Sequence, residues 1–343
     1  MVTIPWRAIT IDRGDYRMRV DRVLLRHMRS ETGVSRNRIQ NWIDAGDVLV
    51  NGSPAPRAAW RIQRGDDLRV RVEPRRPRSR PAAEILPLDV LYEDDDLLAI
   101  NKPAGLVVHP SYKNATGTLI NGVLERAREW PEGSKPSLLG RLDKHTSGVV
   151  LVTKRASLHA ALQKVMAARR IDKDYLAVVW GKPSPARGSI NLALDHDPWD
   201  RRRITVTDRG GQPSTTKYER LATVPATTES GSAFSIVRCR LITGRMHQIR
   251  VHLAAKGWPI VGDAVYGRKA VRESGPEIEF ADDFPRQALH AWKLAFRHPV
   301  TGLEFSIVAP PPEDMIALAR ALGLPSLSRR SGPAKAGLSR RRE

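Results

Sequence analysis

The sequence predicts an α+β fold, a mainly antiparallel mixed-sheet domain preceded by a small α/β domain. Three observations carry this expectation. The 343 residues suit two domains at roughly 100–200 residues each. A Pro- and Arg-rich stretch interrupts the patterned sequence from about residue 73. Beyond it, strand and helix signals mix without the regular βαβ rhythm of a parallel sheet.

The first domain is expected over 16–72. Val20, Val23, Leu24 and Met28 form an apolar stripe at helical spacing, with Arg19, Arg22, Arg26 and Arg29 on the other face. Ser35 reads as the N-cap of a second helix that turns Ile39 and Ile43 inward and Arg36 and Arg38 outward, and Gly46 closes it. Val48–Val50 reads as a strand, Asn51-Gly52 as a hairpin turn, and Leu68 to Val72 as another strand. The linker, 73–85, holds Pro74, Pro77 and Pro81 among Arg75, Arg76, Arg78 and Arg80. Proline cannot donate to a ladder and like charges repel, so this segment is expected to be extended.

The larger domain is expected over 86–322. Val149–Val152 is a short continuous apolar run, the signature of a buried strand. Leu158, Leu162, Val165 and Met166 mark a helix ended by Arg169 and Arg170, whose charges suit its C-terminal dipole. Tyr175 to Trp180 and Phe234 to Ile242 read as strands, the second burying Cys239 as a small hydrophobe. Met246, Ile249 and Leu253 mark a helix stopping at Lys256-Gly257. The segment 326–343, rich in Ser, Gly, Ala and Arg, reads as a disordered basic tail.

Composition narrows the function. A net charge of +20 favours a polyanionic partner, nucleic acid or an anionic membrane. No segment approaches the ~18 apolar residues of a membrane span, and no signal peptide opens the chain, so a cytoplasmic location is expected. With 6% aromatic residues, a binder built mainly on stacking platforms is disfavoured. The single cysteine excludes a disulfide or a cysteine-based metal site within the chain. His247 and His252 lack the H-E-x-x-H spacing, and no metal is expected. No G-x-G or G-x-x-x-x-G-K-[ST] loop occurs, which argues against a methyltransferase with a nucleoside cofactor. No helix-turn-helix, zinc-finger or basic-zipper pattern favours DNA.

The most unusual segment is Gly140-Arg141-Leu142-Asp143-Lys144-His145-Thr146-Ser147-Gly148, just before the buried strand. Loops at strand ends are where a rigid scaffold presents reactive groups. Asp143 there can serve as nucleophile, general base, metal ligand or turn-former. Further ordered segments accompany it: Leu91-Tyr92-Glu93-Asp94 with Asn101-Lys102-Pro103 through His109-Pro110, then Lys173-Asp174-Tyr175-Leu176-Ala177, then Thr243-Gly244-Arg245-Met246-His247-Gln248-Ile249-Arg250-Val251-His252. In this order they resemble the motifs of the RluA-type pseudouridine synthases, whose catalytic motif reads H-R-L-D-x-x-T-S-G. The first domain resembles the S4-type RNA-binding domain that many of these enzymes carry. Gly140 stands where the family has His, and Lys144 where it often has Arg.

The resemblance implies an isomerase that turns uridine into pseudouridine in structured RNA. The uracil N1–C1′ bond breaks and a C5–C1′ bond forms. No redox change occurs and no atom is added, so no cofactor is expected. Asp143 would be the catalytic carboxylate, adding covalently or acting on the sugar as a base. Arg245 is expected against it, where a guanidinium favours the charged carboxylate. Its position at a predicted helix N-terminus, unfavourable for a cation, fits an anionic partner. Tyr175 would stack on the flipped uracil, its hydroxyl near the C5 proton. RNA contacts are expected from Arg19, Arg22, Arg36 and Arg38 in the first domain, and from Arg141, Lys144, His247, Gln248 and Arg250 in the second. Val108-His109-Pro110, Gly117-Thr118-Leu119 and the leading domain look closest to members acting on large-subunit rRNA. Alternatives are a transfer-RNA enzyme and an RNA-binding protein without catalysis. A monomer without an obligate protein partner is expected.

Overall fold

The computed structural model describes residues 5–28, 34–72, 81–111, 114–200, 202–225, 233–267, 276–327 and 337–339. It divides into two compact units, Met1–Arg80 and Pro81–Glu343.

In the first unit, β1 (Arg7–Ile9), α1 (Val20–His27), α2 (Arg36–Asp44), β2 (Val48–Val50), β3 (Ser53–Pro54) and β4 (Leu68–Val70) follow in order. The strands make one antiparallel sheet, β1-β4-β2-β3. The expected stripe of α1 is fully buried: Val20, Val23, Leu24 and Met28 meet Ile39, Trp42 and Ile43 of α2. Burying each such side chain contributes about 1.5–3 kcal/mol. Ser35 caps α2 by accepting from Arg38 N–H, and Gly46 takes a positive φ just beyond it. Asn51 and Gly52 both have positive φ, as a type I′ hairpin turn requires. The start expected at residue 16 is too late. Ile9 joins the core and β1 pairs with β4, a strand too short and exposed to give an alternating pattern. Arg26 donates to Asp12 and Asp15 at 2.7–2.9 Å. Asp12, Asp15 and His27 bring their ligand atoms within 4.8 Å, and Arg26 already supplies the cation of that cluster.

The second unit holds β5 (Val90–Glu93), β6 (Leu97–Lys102), α3 (Leu119–Arg126), β7 (Ser137–Leu138), β8 (Ser147–Thr153), α4 (Ala156–Ala167), β9 (Ile171–Trp180), β10 (Arg187–Asn191), β11 (Leu194–His196), β12 (Ile204–Val206), β13 (Thr215–Val224), β14 (Phe234–Leu241), α5 (Gln248–Ala255), α6 (Pro276–Asp282), β15 (Leu289–Arg297), β16 (Glu304–Val308), α7 (Glu313–Ala321) and β17 (Gly337–Ser339). Its main sheet runs β10-β13-β14-β9-β15-β8-β6-β5, with β7 on β8, β16 on β15 and β17 on β16. Among the described pairs only β15 with β8 is parallel, so the α+β, mainly antiparallel expectation holds. β11 and β12 form a separate hairpin.

The strand expected from Tyr175 begins at Ile171, so Tyr175 lies mid-strand. Its polar start, Asp172-Lys173-Asp174, hid the pairing. This unit also begins before residue 86: Asn121 Nδ2 donates to Ala82 O at 2.7 Å and Glu84 accepts from Gly117 N–H. It extends past 322, since Leu324 and Leu327 are buried. Of the expected linker, 73–80 lie outside the described residues. So do 328–336 and 340–343 of the expected tail, whereas Gly337–Ser339 adds a strand to β16.

All seven residues of β8 are buried between β6 and β15. At its start Gly148 has φ +113°, and a Cβ there would lie 2.2 Å from Ala291 O. Only glycine lets the two parallel strands close at this point. The loop 139–146 therefore leads into the end of a rigid interior strand.

Candidate active site

Asp143 sits in that loop, before β8. Around it lies a cleft of about 500 Å³ whose cationic lining includes Arg141, Lys173, Arg245 and Arg250. Tyr175 of β9 and His247 also line it.

Asp143 Oδ2 accepts from Arg250 Nη1 at 3.1 Å. Arg250 comes from the first turn of α5 and is itself held by Asp263, whose Oδ2 and Oδ1 accept from Nε and Nη2 at 2.7 and 2.8 Å. Asp263 also accepts from the N–H groups of Val265 and Tyr266 at 3.0 Å. Burial opposes the charge on Arg250, but Asp263 and Asp143 outweigh it and raise its pKa. The guanidinium is thus a fixed, charged fork shared between a buried carboxylate and the cleft carboxylate.

This corrects the expected partner. Arg245 lines the same cleft but is exposed on the loop before α5, and Arg250 occupies the place against Asp143. Arg250 is therefore not an RNA contact, being buried with both ends of its fork in use. Gln248 is not one either. It is buried, its Nε2 donates to Thr215 O and Thr216 Oγ1, and its Oε1 accepts from Thr243 Oγ1 and Arg245 N–H. Gln248 shapes the turn into α5 from within. Arg141 and Lys144 are exposed beside Asp143. In the first unit Arg22 and Arg36 are exposed, Arg19 pairs with Asp21 at 2.9 Å, and Arg38 lies 5.2 Å over the Trp42 ring.

His247 takes a left-handed conformation, φ 53°, at the N-cap of α5. Its Nδ1 lies 2.9 Å from the Tyr266 hydroxyl, which already accepts from Ile204 N–H. Its Nε2 lies 3.8 Å from Asp143 Oδ2. Burial is the largest influence on His247 and holds its pKa below the usual histidine value, partly offset by Asp143. Tyr175 is pushed up, by burial first and then by Asp143, so its phenol is neutral in the cleft. Lys173 is pushed down by burial.

A second set of groups fixes the loop, and sequence reasoning missed it. Lys102 Nζ, wholly buried, donates to the carbonyls of Pro103, Leu106 and Lys144 at 2.7, 2.9 and 3.1 Å. Burial brings its pKa down to about 7, with Arg286 acting in the same direction. Arg286 donates to His145 O at 3.2 Å and is clamped by Asp314 of α7. Gln287 donates to Thr146 Oγ1, and Ser147 Oγ lies 2.9 Å from His290 Nδ1. Every residue from Lys144 to Ser147 is thereby held, which keeps Asp143 in one place.

Comparison with known proteins gives this geometry a family. A family model described as RNA pseudouridylate synthase matches residues 96–255, and one described as S4 domain matches 18–68. The ribosomal large subunit pseudouridine synthase D of Xylella fastidiosa is 40% identical over 84% of this chain and 85% of its own. The chain belongs to the RNA pseudouridine synthase family. An uncharacterized RNA pseudouridine synthase of Bacillus subtilis, YlyB, is 39% identical over 84% of this chain and 90% of its own length. Among solved structures, human RNA pseudouridylate synthase domain containing 1 superposes with a TM-score of 0.54 at 25% identity, covering 68% of this chain and 87% of that one. The chain is thus an isomerase that converts uridine in RNA to pseudouridine, with an S4-type domain in front. No helix among the described residues is long and apolar enough to cross a membrane.

Proposed function

We propose that this pseudouridine synthase acts on large-subunit ribosomal RNA, with Asp143 as its catalytic carboxylate. The observation that carries the substrate is the similarity to large-subunit enzymes over 84% of this chain, a stretch that takes in residues of both the leading domain and the catalytic unit. The site chemistry agrees with a nucleic-acid substrate. The cleft is lined by cations, which position a phosphate backbone, and holds one aromatic ring beside the carboxylate.

A uridine flipped into the cleft meets three groups. Asp143 faces C1′ or the base, either as the nucleophile or as the base that acts on the sugar. Arg250 keeps the carboxylate oriented. The ring of Tyr175 stacks against the freed uracil, and its neutral hydroxyl offers a donor. The N1–C1′ bond breaks, C5–C1′ forms, the C5 proton leaves and N1 is left protonated. Arg141, Lys144 and Arg245 take backbone phosphates at the mouth. Arg19, Arg22, Arg36 and Arg38 of the S4-type domain add grip. The enzyme works as a monomer in the cytoplasm, where its substrate is assembled.

Mapping pseudouridines in rRNA from cells lacking this protein tests the substrate. One or more large-subunit positions revert to uridine and are restored by the wild-type protein. An unchanged large-subunit map with a missing transfer-RNA pseudouridine would contradict the reading.

A further inference from the structure

The hairpin of β11 and β12 ends in Asp197-Pro198-Trp199-Asp200-Arg201-Arg202-Arg203. Trp199 is 95% exposed, far more than the other exposed tryptophans, Trp6 and Trp60. Scattered exposed apolar residues are ordinary, but this one is presented by a built turn. Asp197 Oδ1 accepts from the N–H groups of Trp199 and Asp200 at 2.8 and 3.1 Å. Asp197 N–H donates to Arg203 O, and Arg203 N–H to Asp200 O, closing the loop. Arg202 forks onto Asp200 at 2.8 and 2.9 Å. The turn that carries the exposed indole is closed by its own hydrogen bonds.

The root of this hairpin is fastened to the catalytic cleft. Leu194 and Ile204 bury against Val251 of α5, with Met246 and Tyr266 beside them. Ile204 N–H donates to the Tyr266 hydroxyl that meets His247, whose Nε2 faces Asp143. From Ile204 to Trp199 is five residues, so the tip reaches at most about 17 Å at ~3.4 Å per residue. That is about five stacked nucleotides at roughly 3.4 Å each.

We propose that Trp199 is an RNA-stacking residue: its indole lies on an unpaired base near the target uridine, while the exposed Arg202 and Arg203 meet the backbone. This rests on the rRNA pseudouridine synthase reading above. An aromatic face accepts any base, and arginines beside it answer the phosphates, so the tip matches RNA in both parts. It would grip the substrate from the cleft side.

The test uses in vitro transcribed bacterial large-subunit rRNA labelled with tritium at uracil C5. Because the side chain contacts solvent, Trp199→Ala leaves the fold intact, which its urea midpoint checks. Trp199→Ala weakens RNA binding about tenfold or more, the worth of one stacked base, and Trp199→Phe recovers most of it. The slope of log Kd against log salt is unchanged, because no phosphate contact is lost. Iodide quenches an indole in the wild type that Trp199→Phe lacks, and RNA protects it. Equal affinity of Trp199→Ala and wild type overturns the proposal. So does a shallower salt slope, unprotected iodide quenching, or wild-type self-association abolished by Trp199→Ala. If wild type releases no tritium yet binds this RNA in a Trp199-dependent way, the rRNA substrate fails and the stacking role stands.

Discussion

Asp143 and Arg250 meet at 3.1 Å across 107 residues of sequence, and the same guanidinium grips the buried carboxylate of Asp263. The catalytic loop is thereby tied to α5 through a charge with no freedom to turn. A site arranged this way separates the roles of two arginines that line one cleft.

Arg250→Lys keeps the charge but loses the fork, and its single-turnover rate falls on the order of 10²-fold, as expected of a misplaced reacting group. Arg250→Ala also strands Asp263 and loses about 3–5 kcal/mol of stability, read by urea unfolding. Arg245→Ala behaves differently. Its stability is unchanged, KM rises, and the salt slope of RNA binding falls by about 1, the mark of a lost phosphate contact. A larger kcat loss for Arg245→Ala than for Arg250→Lys would return Arg245 to the place beside Asp143.

Much of this site was legible in the sequence, and the error over Arg250 shows where legibility ends. Asp143, Tyr175 and the α5 segment were found because their residues are contiguous and ordered. The choice between Arg245 and Arg250 depends on which way the helix faces. Arg250 lies four residues after Met246 and three before Leu253, on the face that those apolar residues define. A charge on an apolar face needs a buried partner, and that signal was available. Its partner Asp263 carried no signal, since it sits in a turn whose position only the tertiary fold decides. Lys102, Arg286 and Gln287 act through carbonyl and hydroxyl contacts with the loop, which no spacing encodes. In the fold, the helices of the first unit followed from periodicity, while β1, three residues long, had no pattern to read.

Stability falls with acid through the buried histidines. Burial holds His290 down to about 4, against the Ala309 carbonyl that accepts from it and with Arg286 opposing its charge. The unfolded chain binds a proton near pH 6.5, so between pH 6.5 and 4 it binds more protons than the folded one. The contribution is full above pH 6.5 and lost as pH falls to about 4, roughly 3 kcal/mol in all. Urea midpoints at pH 7 and 4 should show a smaller drop for His290→Gln than for wild type. Equal drops would remove His290 as the source.

Removing residues 1–80, the first compact unit, should weaken RNA binding on the order of 10-fold or more and flatten the salt slope by roughly 2 to 3, from the loss of phosphate contacts. The single-turnover rate at saturating RNA should change much less. Equal affinity of the truncated and full chains would contradict the grip assigned to Arg19, Arg22, Arg36 and Arg38.

The most direct measurement compares wild type with Asp143→Asn on unmodified large-subunit rRNA tritiated at uracil C5. The side chain keeps its size, and Arg250 keeps Asp263, so the variant should fold and bind RNA as wild type does. Tritium release by the wild type and none by Asp143→Asn is the predicted result. Release at a comparable rate by Asp143→Asn would take the carboxylate out of the chemistry and contradict the account.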